Sequence, residues 1–374
     1  MPLPGSKPKI LLFINLTQDL DLLLPLAERL QEISSYQLAV IVSSKAWKQS
    51  PRIGFFLKAV GIAPIVISHK AIVAGWQPSL RGVKALVTAS ESTAKAHKGP
   101  HTLTRRANQK GISTYTLQHG FDNVGVTYFD AEHPVNKITF ASKTLFTWGK
   151  ISELPVETPA ETKAKCVAVG CPKHIHSSVA SISAAQQMPG YNPGQPLLVV
   201  FENLHWSRYS DDYRQQFLQD LEQSVIAHPR TTFIVKPHHT GQWLTQHYRN
   251  RVPKANNLIV ADPKDPTWEA FTAPALIEIA SAVITTPSTV AIDAARSHCP
   301  VAIVAYDLTL PRYEPLPLLH NGEDWQGFVC QVEKPGEQSM AGVKAFLRDR
   351  LVPGDAAERI ATQITGDLAT QYRQ

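Results

Sequence analysis

The chain has 374 residues, of which 43% are hydrophobic and 18% are charged. This composition excludes a disordered chain, and the length favours two globular domains over one. The formal net charge of +6 suits an anionic substrate or a nucleotide. The sequence has neither a dense basic run nor a known nucleic-acid-binding motif, so we expect no nucleic-acid partner.

The cysteines and the apolar runs indicate the cellular compartment. Four cysteines are present and none form a C-x-x-C pair, so we expect neither a disulfide framework nor a structural zinc site. The first apolar run, residues 9–16, is short and contains Asn15, which is typical of a strand rather than a signal peptide. No run reaches the roughly 18 apolar residues of a membrane-spanning helix. These features predict a cytoplasmic protein, free or peripheral on the inner face of the membrane.

The first half of the chain alternates short apolar segments with longer amphipathic ones. Residues 22–33 have the spacing of a helix. Strands are predicted at residues 9–16, 37–43, 63–68, 84–90, 113–119, 144–149 and 165–172. Buried strands separated by helices are typical of a parallel, doubly wound sheet.

The pattern is interrupted at residues 177–196, where Ser, Gln, Gly and Pro predict a linker, and then restarts. A helix is predicted at 211–228. Strands are predicted at residues 196–203, 231–239, 257–262, 281–288 and 300–307. The expected fold is α/β, with two Rossmann-like doubly wound domains that face each other across a cleft and bind ligands at the carboxyl ends of their strands.

Four regions follow from this pattern. The first domain is predicted at 1–176, the linker at 177–196, the second domain at 197–335 and a helical tail at 336–374. The tail has two helical segments separated at Pro353-Gly354, with Asp355 as a candidate N-cap.

The segment "ITTPSTVAIDAARSHCP", residues 284–300, is a strand followed by a helix start. Ser288 and Thr289 offer hydroxyl groups, and the first turn of the helix offers free N–H groups, which together could bind a phosphate. Asp293 lies one turn further along the same face. The alternative is an ordinary helix N-cap, which is the commoner role of Ser and Thr at this position.

Two other predicted strands end in histidines. The strand at 231–239 ends with Lys236 and His238, which can neutralise a diphosphate and protonate a leaving group, so His238 is also assigned a catalytic role; a plain surface loop is the alternative. The strand at 113–119 ends with His119, whose ordinary pKa near 6.5 suits a general base. Gly120 would allow close approach to the backbone, and Asp122 could orient the histidine, bind a sugar hydroxyl or act as a nucleophile.

These motifs together resemble a known family. The pattern Ser288-Thr289-Val290-Ala291-Ile292-Asp293 followed by Tyr306-Asp307 is similar to the second half of CDP-glycerol glycerophosphotransferases and related GT-B glycosyltransferases of bacterial envelope polysaccharides. Lys236-Pro237-His238-His239 resembles their "KxHP" element, and Gln118-His119-Gly120 resembles their "HG" loop. The chain reads "HGFDN" where glycerophosphotransferases continue "HGTPxK". It is therefore more similar to capsule and lipopolysaccharide sugar transferases, including those that use CMP-linked acidic sugars such as Kdo.

The resemblance implies a metal-independent glycosyltransferase without a cofactor. It implies that the first domain binds a saccharide or lipid-linked saccharide acceptor and that the second binds a nucleotide-sugar donor, with cytidine favoured. His119 would activate the acceptor, while His238, Ser288 and Thr289 would hold the donor phosphates. Donor binding is also assigned to Lys236 and Asp293.

Other residues complete the predicted site. Gln118, Gly120, Glu91 and Glu202 are assigned to acceptor binding. Asp122 is the alternative catalytic residue to His119, and it would imply a covalent glycosyl intermediate with retention of configuration. Three other functions stay open: glycerophosphate transfer from a CDP-glycerol-type donor, epimerisation of a nucleotide sugar on the same fold, and a non-catalytic scaffold role.

Three further segments bear on membrane and metal contacts. Residues 45–61 carry four basic residues with Trp47 and Phe55, which allows an interfacial helix on anionic lipid, although sheet packing is the favoured interpretation. Asp211-Asp212 is interpreted as a helix start and residues 19–21 as a loop. Neither pair is therefore assigned to a metal.

Overall fold

The computed structural model describes most of the chain. It covers residues 8–175, 188, 191–192, 194–238, 243–247, 251–268, 271–333 and 338–371. Most of the linker predicted at 177–196 lies outside the described residues, as does His239. The chain divides into two compact units, one formed by Met1–His174 with Arg350–Gln374 and the other by Ile175–Asp349.

The first unit is built on a seven-stranded parallel sheet with the order β3-β2-β1-β4-β5-β6-β7. Its strands are β1 (Lys9–Ile14), β2 (Gln37–Ser43), β3 (Ile65–Ile67), β4 (Val83–Thr88), β5 (Ser113–Leu117), β6 (Thr144–Thr147) and β7 (Cys166–Ala168). Its helices up to residue 174 are α1 (Asp19–Ile33), α2 (Ser44–Gln49), α3 (Arg52–Ala59), α4 (His69–Val73), α5 (Lys98–Gln109) and α6 (Ala160–Lys165). The central strand β1 is almost wholly buried, because a parallel sheet is covered on both faces.

The second unit is built on a six-stranded parallel sheet with the order β10-β9-β8-β11-β12-β13. Its strands are β8 (Leu197–Glu202), β9 (Thr232–Pro237), β10 (Leu258–Val260), β11 (Ala282–Thr285), β12 (Val301–Val304) and β13 (Leu318–Leu319). Its helices are α7 (Asp211–Ala227), α8 (Trp243–His247), α9 (Ala273–Ile279), α10 (Val290–Arg296), α11 (Gly322–Glu333) and α12 (Gln338–Arg350). The core lies between the sheet and α7 and α11, and it includes Phe217, Phe233 and Trp325.

The final helix, α13 (Ala356–Gln371), packs on α1 within the first unit. Asp355 caps it, because Asp355 Oδ1 accepts a 2.9 Å hydrogen bond from the Glu358 N–H, as predicted. Arg29 of α1 forms ion pairs with Asp355 and Glu358 at 2.9 and 3.0 Å. The segment predicted as one tail therefore supplies α12 to the second unit and α13 to the first.

The α/β prediction is confirmed, with two local corrections. Asp19 and the residues that follow it open helix α1 instead of forming a loop. The basic segment at 45–61 forms two short helices separated at Ser50-Pro51 rather than the single interfacial helix that was its less favoured alternative, because Pro51 cannot donate a backbone hydrogen bond. Among the described residues, no helix is long and apolar enough to cross a membrane.

Candidate functional site

In the second unit, the residues predicted to bind phosphate lie at the carboxyl ends of adjacent strands. Strand β8 lies between β9 and β11, and all three run parallel. Glu202 ends β8, Lys236 and His238 lie at the end of β9, and Ser288 follows β11. Carboxyl ends of parallel strands meet at one edge of a sheet, so the structure brings these four residues to a common edge.

A side-chain network around Asn203 joins the ends of β8 and β11. The Asn203 N–H donates to Thr286 Oγ1 over 3.1 Å, and the Asn203 amide donates to the Pro287 carbonyl over 3.0 Å. Asn203 Oδ1 accepts from the hydroxyl groups of Thr286 and Tyr209 over 2.7 and 2.5 Å. These four hydrogen bonds around the half-buried Asn203 fix the geometry of the loop that follows β8.

Glu202 is a buried carboxylic acid at the centre of this edge. Its side-chain Oε2 accepts a 2.7 Å hydrogen bond from the Leu204 N–H, while Oε1 is buried with no hydrogen-bond partner among the described residues. Burial raises the pKa of Glu202 from its ordinary 4.5 to about 7, and backbone hydrogen bonds from Leu204 and Leu244 oppose this rise. The carboxyl group is therefore present in both protonation states near neutral pH.

His205 is a residue of this edge that the sequence analysis missed. Its imidazole stacks on that of His238, with ring centroids 4.8 Å apart and an interplanar angle of 30°. The loop that carries His205 is held by Arg214, whose guanidinium donates to the carbonyl oxygens of Leu204 and Trp206 over 3.0 and 3.1 Å. A lone histidine in the "FENLHW" loop has no periodic signal, and only the strand end before it marks its position.

The predicted phosphate segment after β11 begins its helix later than expected. Helix α10 starts at Val290, and Ser288 Oγ accepts a 3.2 Å hydrogen bond from the Val290 N–H. Ser288 Oγ also lies 3.0 Å from Thr285 Oγ1. Thr289 and Asp293 are both partly exposed, with Asp293 in the first turn of α10. Their donor-binding roles stay predictions.

In the first unit, Gln118 follows strand β5 and uses its side chain inside the protein. Its amide nitrogen donates to the Gly120 carbonyl over 2.8 Å, and its amide oxygen accepts from the Trp148 N–H over 2.9 Å. Gln118 is buried, and Gly120 is buried beside it. This pairing ties the loop after β5 to the end of β6, so the geometry favours a structural role for Gln118.

His119 belongs to a pair of histidines at the same edge of the first sheet. Its ring meets that of His97 edge to face, with centroids 4.9 Å apart, and Ser92 Oγ lies 2.8 Å from His97 Nδ1 in a hydrogen bond. Burial lowers the pKa of His119 to about 4 and that of His97 to about 3, although His119 keeps part of its surface accessible. Both rings are neutral at pH 7, and Asp122 lies partly exposed in the loop beyond them.

Glu91 is held entirely by protein donors. Its Oε1 accepts from the Ala141 N–H over 3.0 Å and from His101 Nδ1 over 2.6 Å. Its Oε2 accepts from the N–H and the hydroxyl of Ser142 over 3.0 and 2.7 Å. With its side chain fully buried, Glu91 anchors the loop before β6, and this geometry favours a structural role over acceptor binding.

Within the described part of the chain, no group of three or more His, Cys, Asp or Glu side chains is placed to hold a metal ion. The rejected pair at Asp211-Asp212 lies in the first turn of α7, where acidic side chains suit the positive end of the helix dipole.

Comparisons with known proteins identify the fold. No family model matches the chain, and no curated protein matches it either. A solved UDP-N-acetylglucosamine 2-epimerase from Listeria monocytogenes, described as putative, matches with a TM-score of 0.71 and 13% identity, over 98% of this chain and 97% of that one. The fold is GT-B-like. The UDP-GlcNAc 2-epimerase from Neisseria meningitidis, solved with UDP-GlcNAc bound, matches with a TM-score of 0.66 and 10% identity over 97% of this chain and all of that one.

A second kind of enzyme shares the fold. The wall teichoic acid polymerase TagF, in a variant soaked with CDPG, matches with a TM-score of 0.61 and 13% identity, over 98% of this chain and 90% of that one. The GT-B part of the predicted resemblance is confirmed. The similarity to the glycerophosphotransferase and Kdo-type groups stays a prediction, because identities this low establish the fold alone.

Proposed function

We propose that this chain is an enzyme that epimerises the sugar of a nucleoside diphosphate sugar. The observation that carries the proposal is Glu202, a buried acid with a pKa of about 7 at the carboxyl edge of the second sheet. A general acid or base is most effective when its pKa lies near the working pH. The similar epimerases from Listeria and Neisseria point to a UDP-linked N-acetylhexosamine as the substrate class.

The chemistry of such an epimerisation explains why a base would stand among phosphate-binding residues. A C–H bond beside the anomeric carbon is weakly acidic, so its proton leaves readily only as the anomeric C–O bond breaks and the nucleoside diphosphate departs. Re-addition of the nucleotide, with a proton delivered to the opposite face of the ring, inverts that carbon. In this scheme Glu202 takes or returns the proton, while Lys236, His238, Ser288 and Thr289 stabilise the charge on the departing diphosphate.

Incubation with UDP-GlcNAc in D2O, without any acceptor, tests the proposal. We expect a second set of anomeric proton signals and replacement of one sugar-ring hydrogen by deuterium. The Glu202→Gln variant keeps an oxygen that accepts from the Leu204 N–H but cannot titrate, so we expect turnover to fall by about 10²–10⁴-fold with nucleotide affinity retained. Unchanged turnover in this variant would remove Glu202 from the mechanism.

Glycosyl transfer is the second candidate, and His119 is the observation that favours it. His119 is neutral at pH 7 and lies at the carboxyl edge of the first sheet, where it could accept a proton from an acceptor hydroxyl. This candidate keeps the cytidine donor and the envelope saccharide acceptor, with Asp122 as the alternative catalytic residue. The TagF structure soaked with CDPG adds glycerophosphate transfer as its variant.

The two candidates differ in what they consume. An epimerase converts a UDP-sugar alone, whereas a transferase requires an acceptor and releases CMP, CDP or another nucleotide in proportion to product. Calorimetric titration with UDP, CDP and CMP distinguishes the nucleotides. A chain that binds none of them would support a non-catalytic scaffold.

A further inference from the structure

The imidazole rings of His205 and His238 stack on each other at the carboxyl edge of the second sheet. His238 directly follows β9, and its backbone N–H donates to the Glu202 carbonyl over 2.9 Å. His205 lies three residues beyond the end of β8. Their ring centroids are 4.8 Å apart, so two rings that can donate N–H hydrogen bonds lie next to each other at the carboxyl edge, where ligands bind to parallel sheets.

Side-chain hydrogen bonds fix the loop that carries His205 at several points. Arg214 donates to two of its carbonyl oxygens, and the Arg214 guanidinium lies 5.4 Å from the ring centroid of Trp243. The Asn203 network and the Glu202 carboxyl group hold the start of the same loop. A side chain on a loop fixed in this way is pre-organised, which lowers the entropic cost of binding a ligand.

We propose that His205 binds the diphosphate of the nucleotide substrate together with His238, each imidazole donating an N–H to a different phosphoryl group. This proposal rests on the proposed function and adds His205 to its site. Two stacked imidazole rings have no electrostatic repulsion when both are neutral. Two stacked imidazolium rings repel each other unless a bound anion compensates their charge. A diphosphate carries adjacent negative groups that match two adjacent donors, and hydrogen bonds to charged groups are the stronger ones.

The charged groups around the pair agree with an anionic ligand. Charged groups on the elements that carry the pair include Glu202 at the end of β8, Lys236 at the end of β9, Arg208 in the same loop as His205, and Arg214 on α7, which is ion-paired with Asp211. Burial favours the neutral form of Glu202, so the cations dominate the local charge below the pKa of that carboxyl group.

Titration with inorganic pyrophosphate, followed by NMR of histidine ring carbons, tests this proposal without any turnover. At pH 7 we expect the His205 and His238 signals to shift together with one dissociation constant. His228 is an internal control, because it precedes β9 at the opposite end of the strand and donates to Gln326 Oε1 over 2.9 Å. Its signal should stay in place.

Two substitutions separate direct binding from ring packing. His205→Phe keeps a stacked aromatic ring but removes both ring nitrogens, whereas His205→Asn removes the ring and keeps a hydrogen-bond donor. Direct binding predicts that His205→Phe weakens pyrophosphate affinity by about 10- to 100-fold. Asparagine should recover part of the affinity.

The outcomes also test the His205 phosphate site separately from the epimerase activity. Wild-type pyrophosphate affinity in His205→Phe would show that His205 only packs against His238. Pyrophosphate binding that shifts neither histidine signal would also overturn the proposal, as would the absence of any pyrophosphate binding. Pyrophosphate binding through both rings, in a chain that converts no nucleotide sugar, would leave the His205 site standing and refute the epimerase.

Discussion

The buried acid Glu202 should make the second unit less stable as the pH rises, and its replacement by glutamine should remove this dependence. The pKa of Glu202 is about 7 in the folded chain and 4.5 is its ordinary value, so between these values the folded state holds a proton that the unfolded state has lost. Stability therefore decreases with rising pH in this window. The contribution is fully present below pH 4.5 and is lost as the pH passes 7.

The magnitude follows from the same two values. At about 1.36 kcal/mol per pKa unit, the full difference corresponds to about 3 kcal/mol, of which about 2.5 kcal/mol is lost between pH 5 and pH 8. This is roughly a 70-fold change in the opening equilibrium. Glu202→Gln should lack this component, because a carboxamide does not titrate.

Hydrogen exchange of the β8 amides, corrected for intrinsic exchange rates, measures the effect within the second unit. The quantity of interest is the difference between wild type and Glu202→Gln at each pH, because histidines also titrate over this range. Asp19→Asn is the matched control: burial raises the pKa of Asp19 to about 6, and its effect should appear in β1 and not in β8. A wild-type-minus-variant difference that is constant with pH would refute a near-neutral Glu202, and with it the acid–base proposal.

Three further substitutions test other parts of the chain. Replacing both Ser288 and Thr289 by Ala should weaken UDP binding by about tenfold in calorimetry while the chain stays folded, with a small loss of stability because Ser288 Oγ also accepts from the Val290 N–H; undiminished affinity would argue against a phosphate site there. Glu91→Ala should lower the stability of the first unit by about 3 kcal/mol, because it leaves four donors without their acceptor, and should leave the dissociation constant for UDP unaltered. Gly170→Ala should expose α13 to proteolysis, because Gly170 has φ +94° and an added Cβ would lie 2.6 Å from the Val352 carbonyl; wild-type resistance would contradict this.

The sheets could be predicted from the sequence because parallel strands are buried on both faces and appear as continuous apolar runs. The run at 37–43 coincides with β2, while the run at 281–288 extends beyond β11 because Thr286 and Ser288 leave the strand to hydrogen-bond with Asn203 and with the start of α10. Strand β13 was missed, since its two residues are too few for a pattern. The return of α13 to the first unit depends on the packing of its buried apolar face, which includes Ile360, Ile364 and Leu368, and on contacts with α1 more than 300 residues earlier, a separation that local patterns do not report.

The sequence predicted where the residues of the candidate site lie better than it predicted what each residue does. Strand ends led to Glu202, His238 and His119, because ligands of parallel sheets bind there. His205 and His97 lack any local signal, and their importance appears only once the rings are seen to pack against predicted residues. Ring packing of this kind depends on loop geometry that composition does not determine.

Glu91 and Glu202 show how environment separates two carboxyl groups that the sequence treats alike. Each follows or ends a central strand, each is buried, and both were predicted to contact an acceptor. Glu91 has both oxygens occupied by four donors, so its charge is compensated and it is committed to the protein. For Glu202, burial outweighs the backbone hydrogen bonds from Leu204 and Leu244, so its pKa rises to about 7. A buried carboxyl group whose ionised form is poorly stabilised costs stability at neutral pH. This is the physical reason to propose an acid–base role for Glu202 and a structural role for Glu91.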